Sequence, residues 1–201
     1  MGIKKESTEV RKEQIAKAAI AIIGKDGVQG FTIARVAKAV GVSEANLYRH
    51  FKNKDAIFLA VIGDVEETLL GKVSSINAQD LPAIEKMELI FKFHLNYIQE
   101  NIGIPRIVFS SEALFVRGLQ KRLLSFVNRY MEALCKILEQ GVKDGSIRKN
   151  VNADAMATML IGTIQFNALR WLLGGSRYSL AEKGEKLWQT YRRHIEAKKV
   201  R

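Results

Sequence analysis

The chain has 201 residues, enough for one large domain or two small ones with a sizeable core. Apolar residues make up 47% and charged residues 26%, which excludes a disordered chain, and the single cysteine, Cys135, excludes an internal disulfide framework. The net charge is +11 and sits at the ends: residues 1–55 hold 11 Lys/Arg against 6 Asp/Glu, residues 56–169 hold 12 against 12, and residues 170–201 hold 9 against 3.

A basic N-terminal segment predicts a polyanionic partner, with a general solubility charge as the alternative. No charged start followed by an apolar stretch marks a signal peptide. The most apolar segment, 153–173, contains Asp154, Gln165, Asn167 and Arg170, which predicts a buried helix and no membrane span. With one cysteine, a reducing, cytoplasmic setting is expected. Two prolines and long stretches free of Pro and Gly predict an all-α protein of about nine helices.

In "STEVRKEQIAKAAIAIIGKDG", Ile15, Ala18, Ala19, Ile22 and Ile23 recur on one helical face. Ser7 or Thr8 can cap this first helix, and Gly27 can stop it. Thr32 caps a second, "IARVAKAV", which Gly41 ends; Ser43 caps a third. A fourth begins near Asn53 and runs to about Ser75. After the break at "NAQDLPAIEK", where Asp80 can cap and Pro82 fits a first turn, helices are predicted at about 81–100, 104–115, 118–143, 153–173 and 180–197. Asp144-Gly145 ends the long one, Asn152 caps the next, and Ser179 with Glu182 forms a capping box.

Helices two and three meet across "AVGVS", a short Gly-containing turn between two short helices, which is the pattern of a helix-turn-helix. Gly41 has no Cβ to clash in a sharp turn. Val42 and Leu47 would lock the pair. In this motif the second helix enters the major groove with its N-terminal residues nearest the bases. Those residues are Glu44, Ala45 and Asn46; Glu can accept from cytosine, Ala can touch a thymine methyl and Asn can pair with adenine. Tyr48, Arg49, His50, Lys52 and Lys54 follow as donors within reach of phosphates, and Thr32 and Ser43 stand at two helix starts.

The stretch "TIARVAKAVGVSEANLYRHFKNKDAIFLAVI" resembles the DNA-binding domain of the TetR family of bacterial repressors. Thr32, Gly41, Val42, Ser43, Leu47, Tyr48, His50, Phe51 and Lys54 carry the resemblance, which extends over residues 8–68. Ala45 departs from it, because many members have Gly at that place. The resemblance implies that Tyr48, His50 and Lys54 contact phosphates while Glu44, Ala45 and Asn46 face bases. It also implies a homodimer on a near-palindromic operator in double-stranded DNA, and a pocket for a small effector. The expected division is a helix-turn-helix domain at 1–53 and a helical effector-binding and dimerisation domain at 54–201.

Two features of the remainder bear on these expectations. Helix 153–173 is apolar nearly all round, and the last helix is amphipathic. Met156, Met159, Leu160 and Phe166, with Leu187 and Tyr191, are therefore candidates for the dimer interface; closing the monomer's own core is the alternative. Large apolar groups recur between residues 81 and 143. Phe91, His94, Phe109 and Phe115, with Phe166, are candidate pocket residues, although such a stripe serves equally as core.

An enzyme is not expected. No Gly-rich phosphate loop and no G-x-S-x-G occurs, His50, His94 and His194 have no metal spacing, and Cys135 sits at core spacing with Leu134 and Leu138. No cofactor or metal is expected either. The reading is a DNA-binding transcriptional regulator, released from DNA by a small apolar effector. The alternative is a nucleoid-associated DNA-binding factor of the same fold that acts through protein contacts; "VGVSEANLYRHF" is similar to the matching stretch of nucleoid-occlusion factors.

Overall fold

The computed structural model describes residues 7–197. The outermost parts of both basic ends, residues 1–6 and 198–201, lie outside the described residues. Helix α1 spans Thr8–Asp26, and Ser7 caps it, its Oγ accepting from Val10 N at 3.3 Å. A single 3-10 turn, Val28–Gly30, follows. Next come α2 (Ile33–Val40), α3 (Glu44–Tyr48), α4 (Lys54–Asn77), α5 (Ala83–Glu100), α6 (Gly103–Val108), α7 (Ser111–Phe115), α8 (Arg117–Asp144), α9 (Ala153–Leu173) and α10 (Leu180–Ile195). Among the described residues there is no strand, only an isolated bridge between Ile147 and Glu196.

Among the described residues ten α-helices stand where about nine are predicted, because the single helix expected at 104–115 is two. Ser110 takes an extended conformation (φ −85°, ψ 164°), and its hydroxyl donates to Ile107 O at 2.7 Å. A serine that bonds its own backbone in this way competes with the helix ladder and ends it.

The chain divides into two compact units. Unit one runs to Val65 and also takes in residues 101–124, so it reaches beyond the division expected at 53/54. Its core is built from α1, α2, α3, α4, α6 and the start of α8, with Ile15, Ile23, Val36, Leu47, Phe58 and Leu119 buried. The rings of Phe31 and Phe58 lie 5.1 Å apart. Helix α6 packs on α1 almost backbone to backbone. A Cβ on Gly103 would stand 2.2 Å from the Ile20 carbonyl oxygen, and one on Gly24 would stand 2.8 Å from Ile102 Cγ2. Only glycine allows that approach.

Unit two comprises residues 66–100 and 125–201. Here α5 packs against α9 and α10. The N-terminus of α5 is capped from a distance. Asp144 Oδ2, at the end of α8, accepts from Ala83 N at 3.0 Å, so this carboxylate and not Asp80 supplies the cap. Lys86 is buried, and its ammonium donates to Asn77 O at 2.9 Å, a cation at the C-terminal end of α4 where the helix dipole favours one. Asn152 and Ser179 cap α9 and α10 as expected.

The outward and inward faces of α9 and α10 correct part of the expected dimer interface. Leu160 is fully buried, and Tyr191 is buried with its hydroxyl donating to Met156 O at 3.0 Å; both are used up inside their own unit. Met156 and Leu187 are half-buried. Met159, Phe166 and Leu173, seven residues apart on α9, are 54%, 60% and 81% exposed and make an apolar stripe.

His94 on α5 is buried, its Nδ1 3.2 Å from the Tyr130 hydroxyl on α8. Burial holds the imidazole neutral, pushing it from its ordinary 6.5 down to about 4. Between these values the unfolded chain binds a proton that the folded chain refuses. Stability from this group is therefore complete above pH 6.5 and is lost as the pH falls toward 4, by about 3 kcal/mol in all. Urea midpoints measured from pH 7 to pH 4 should fall more steeply for the natural chain than for His94→Gln. Parallel curves would show that His94 does not titrate in this way.

Candidate nucleic-acid interface

Thr32 opens the site. It sits at the start of α2, its Oγ1 accepting from Arg35 N at 3.3 Å. Arg35 in turn forms an ion pair with Asp26 and donates to Gly30 O at 2.8 Å, which ties the start of α2 to the end of α1. The sequence reading missed Arg35; the only signal was an acid nine residues before it across a glycine-bounded turn.

The turn between α2 and α3 is closed by two backbone bonds. Val42 N donates to Ala37 O at 2.9 Å, and Gly41 N donates to Lys38 O at 3.3 Å. This is a Schellman closure, and it needs a left-handed residue. Gly41 supplies it at φ 76°, ψ 33°. A Cβ there would meet nothing within 4 Å, so the requirement is conformational and not one of space.

Helix α3 has only five residues, Glu44–Tyr48. A helix of this length has no stability of its own in water. Ser43 caps it, its Oγ accepting from Asn46 N at 3.1 Å, which contributes about 1 kcal/mol. Leu47 is fully buried and Phe51 nearly so, which pins the helix to the core of unit one. Removing a buried leucine of this kind costs about 2–5 kcal/mol.

The outward face follows from that anchoring. Ser43, Glu44 and Ala45 are exposed and Asn46 is half-exposed. Tyr48 is half-exposed despite its size, and Arg49 and Lys52 are exposed. The candidate base-facing residues are thus exposed or half-exposed on α3, and two of the candidate phosphate-facing residues, His50 and Lys54, are more enclosed. His50 is half-buried, and its Nδ1 is buried without a hydrogen-bond partner. Lys54 is half-buried as the first residue of α4, and its ammonium lies 5.3 Å and 5.5 Å from the ring centres of Phe31 and Phe58. Lys54 thus contacts two core rings through its cation.

The expected pocket residues are divided between the two units. Phe91 and His94 are buried in unit two. Phe166, also in unit two, is 60% exposed. Phe109 and Phe115 belong to unit one, and Phe115 is 82% exposed. Phe115 ends α7, a helix separate from α6 where the sequence predicts one helix over 104–115. Among the described residues no three His, Cys, Asp or Glu side chains stand close enough to hold a metal ion. No described helix is long and apolar enough to cross a membrane.

A capped, five-residue helix pinned behind a glycine turn, with polar residues and cations outward, defines a helix-turn-helix DNA-binding protein. Residues 15–61 match the family of bacterial regulatory proteins called tetR, and residues 65–192 match the C-terminal region of YsiA-like proteins. The chain belongs to the TetR family and is a DNA-binding transcriptional regulator. It is 27% identical to the nucleoid occlusion factor SlmA of Aliivibrio fischeri over 183 residues, covering 89% of this chain and 92% of that protein. In fold it is similar to the fatty acid degradation regulator FadR from Bacillus halodurans, with a TM-score of 0.78 at 20% identity over 94% of this chain and 96% of that one. The Bacillus subtilis regulator FadR in complex with stearoyl-CoA gives a TM-score of 0.76 at 21% identity over 89% and 96%.

Three substitutions should separate the roles. Lys52→Ala should flatten the plot of log affinity against log salt by about one and leave base preference alone. Asn46→Ala should relax base preference with the salt slope unchanged. Lys54→Ala should lower the melting temperature as well as affinity, because about 0.5–1 kcal/mol of ring contact goes with it. Binding titrations across salt, on a selected site and on scrambled DNA, read the first two; a single common effect would contradict the sorting.

Proposed function

We propose that the protein is a cytoplasmic homodimeric repressor that binds a near-palindromic operator and leaves it when a mostly apolar effector enters unit two. The observation that carries this is the packing of α6 on α1 at Gly103 and Gly24. Helix α6 follows α5 in the chain, yet it belongs to the same compact unit as the helix-turn-helix. A shift of α5 would pull on α6, and α6 has no slack against α1. Ligand and operator are then coupled; a 100-fold weakening of operator binding requires about 2.7 kcal/mol of differential affinity.

The dimer rests on α9. Met159, Phe166 and Leu173 leave an apolar stripe on a helix already packed on its other side. A second copy of the chain suits such a stripe, because a two-fold axis presents the same stripe in return. Two α3 helices then face successive major grooves about 34–36 Å apart. Phe166→Asp should reduce the mass in solution from about twice the 22.6 kDa of one chain to that of one chain. Equal masses for variant and natural protein would remove the stripe from the interface.

The two groups of similar proteins point to different roles. One is named for nucleoid occlusion, and one neighbour holds stearoyl-CoA. The close α6–α1 contact favours the effector-released repressor. Genome-wide mapping of bound DNA decides: a few promoter sites support the repressor, and many sites spread along the chromosome support the nucleoid factor.

A further inference from the structure

The helix-turn-helix uses the basic N-terminal end of the chain and leaves the other basic end without a role, where residues 170–201 hold 9 Lys/Arg against 3 Asp/Glu. The fold gathers part of that charge at one corner of unit two. The loop after α8 runs antiparallel to the end of α10, with Arg148 N donating to Ile195 O at 2.9 Å and Ala197 N donating to Ser146 O at 3.0 Å. Arg148 fastens the two segments through its side chain, its Nε donating to Glu196 O at 2.9 Å and its Nη2 to Arg193 O at 2.8 Å. Lys149, the next residue, is exposed, as are Arg193 and, in the last turn of α8, Lys143. Arg193 donates to a neutral group, the Thr190 hydroxyl, at 3.3 Å. The acids of these two segments are turned to partners inside the unit: Asp144 accepts from Ala83 N, and Glu196 accepts from Arg192 at 2.7 Å and 3.0 Å.

We propose that this corner is a second DNA contact, independent of sequence, in which Lys149 and Arg193 meet the phosphates of a duplex and Arg148 holds them in place. The cations are exposed along two antiparallel segments and do not converge on an enclosed pocket, so an extended polyanion suits them better than a small anion. The large apolar residues of the same segments, Ile147, Tyr191 and Ile195, are all buried. The corner therefore offers neither the aromatic and apolar centre of a protein interface nor the apolar face that enters a bilayer. It also presents no helix to a groove, so it has contacts for phosphates and none for base edges. The polyanion at hand is the one that α3 already binds, since a duplex held at one surface is at high effective concentration for another surface of the same molecule. The proposal is independent of the effector reading and holds for a repressor and for a nucleoid factor alike.

The test is a fluorescence anisotropy titration of a duplex of scrambled sequence with the full chain, repeated from about 50 to 200 mM salt. Lys149→Gln combined with Arg193→Gln should bind about tenfold more weakly than the natural chain and flatten the plot of log affinity against log salt by about two for each chain that touches DNA. A control of equal charge, Lys136→Gln combined with Lys183→Gln, should leave both nearly unchanged; those lysines lie elsewhere in unit two, against Glu132 and over the Tyr178 ring. The same loss should appear when Arg49→Ala and Lys52→Ala have already weakened the helix-turn-helix. If the double variant does not fold, Lys149→Gln alone decides, with a change in slope of about one. Unchanged duplex binding overturns the proposal. So does an equal loss in the control, which would mean net charge alone, or a loss that vanishes in the Arg49→Ala, Lys52→Ala background, which would mean an effect through α3. Vesicles containing phosphatidylserine form the last arm: a loss of vesicle binding with duplex binding intact would assign the corner to a membrane surface and overturn the DNA contact.

Discussion

The burial of Leu47 under a helix of five residues is the contact on which the DNA-facing surface depends. Local forces do not hold such a helix. Its cap at Ser43 contributes about 1 kcal/mol, a fraction of what an isolated helical turn costs to nucleate. The remainder comes from Leu47 and Phe51 in a core shared with α1, α2 and α4. Once that side is fixed, Glu44, Ala45 and Asn46 have no freedom to turn inward, and the chain carries a rigid polar edge. Gly41 is the other half of the constraint, since without a left-handed residue the α2–α3 turn could not close its two backbone bonds.

The same core would carry the proposed regulation to this surface. Unit one is not a contiguous N-terminal block; residues 101–124 complete it. Ile107 of α6 and Leu119 of α8 lie in the cluster that buries Leu47. A Cβ at Gly103 would collide with the Ile20 carbonyl, so α6 follows α1 closely. Packed interiors of this density transmit displacement instead of absorbing it.

Much of this was legible in the sequence because it is local. Ser7, Thr32, Ser43, Asn152 and Ser179 cap the helices they precede, and each is readable from one residue and its followers. The outward placement of Glu44 and Ala45 was legible for the same reason, since a short helix with one buried side leaves its other side outward. What was not legible depends on partners far away in the chain. Asp144 caps α5 across 61 residues, displacing the nearby Asp80. Leu160 and Tyr191 look as eligible for an interface as Met159 and Phe166, because periodicity shows that a face is apolar but not which neighbour covers it. The break at Ser110, whose hydroxyl turns back on Ile107 O, divides a stretch that periodicity reads as one helix.

Dimethyl sulfate footprinting on a selected operator tests the central claim most directly, because it reads guanine N7 in the major groove. The account predicts two protected groups about one helical turn apart on one face of the duplex, both lost in Leu47→Ala at protein concentrations where the rest of the chain stays folded. Protection confined to the minor groove, or unbroken cover without sequence preference, would contradict it.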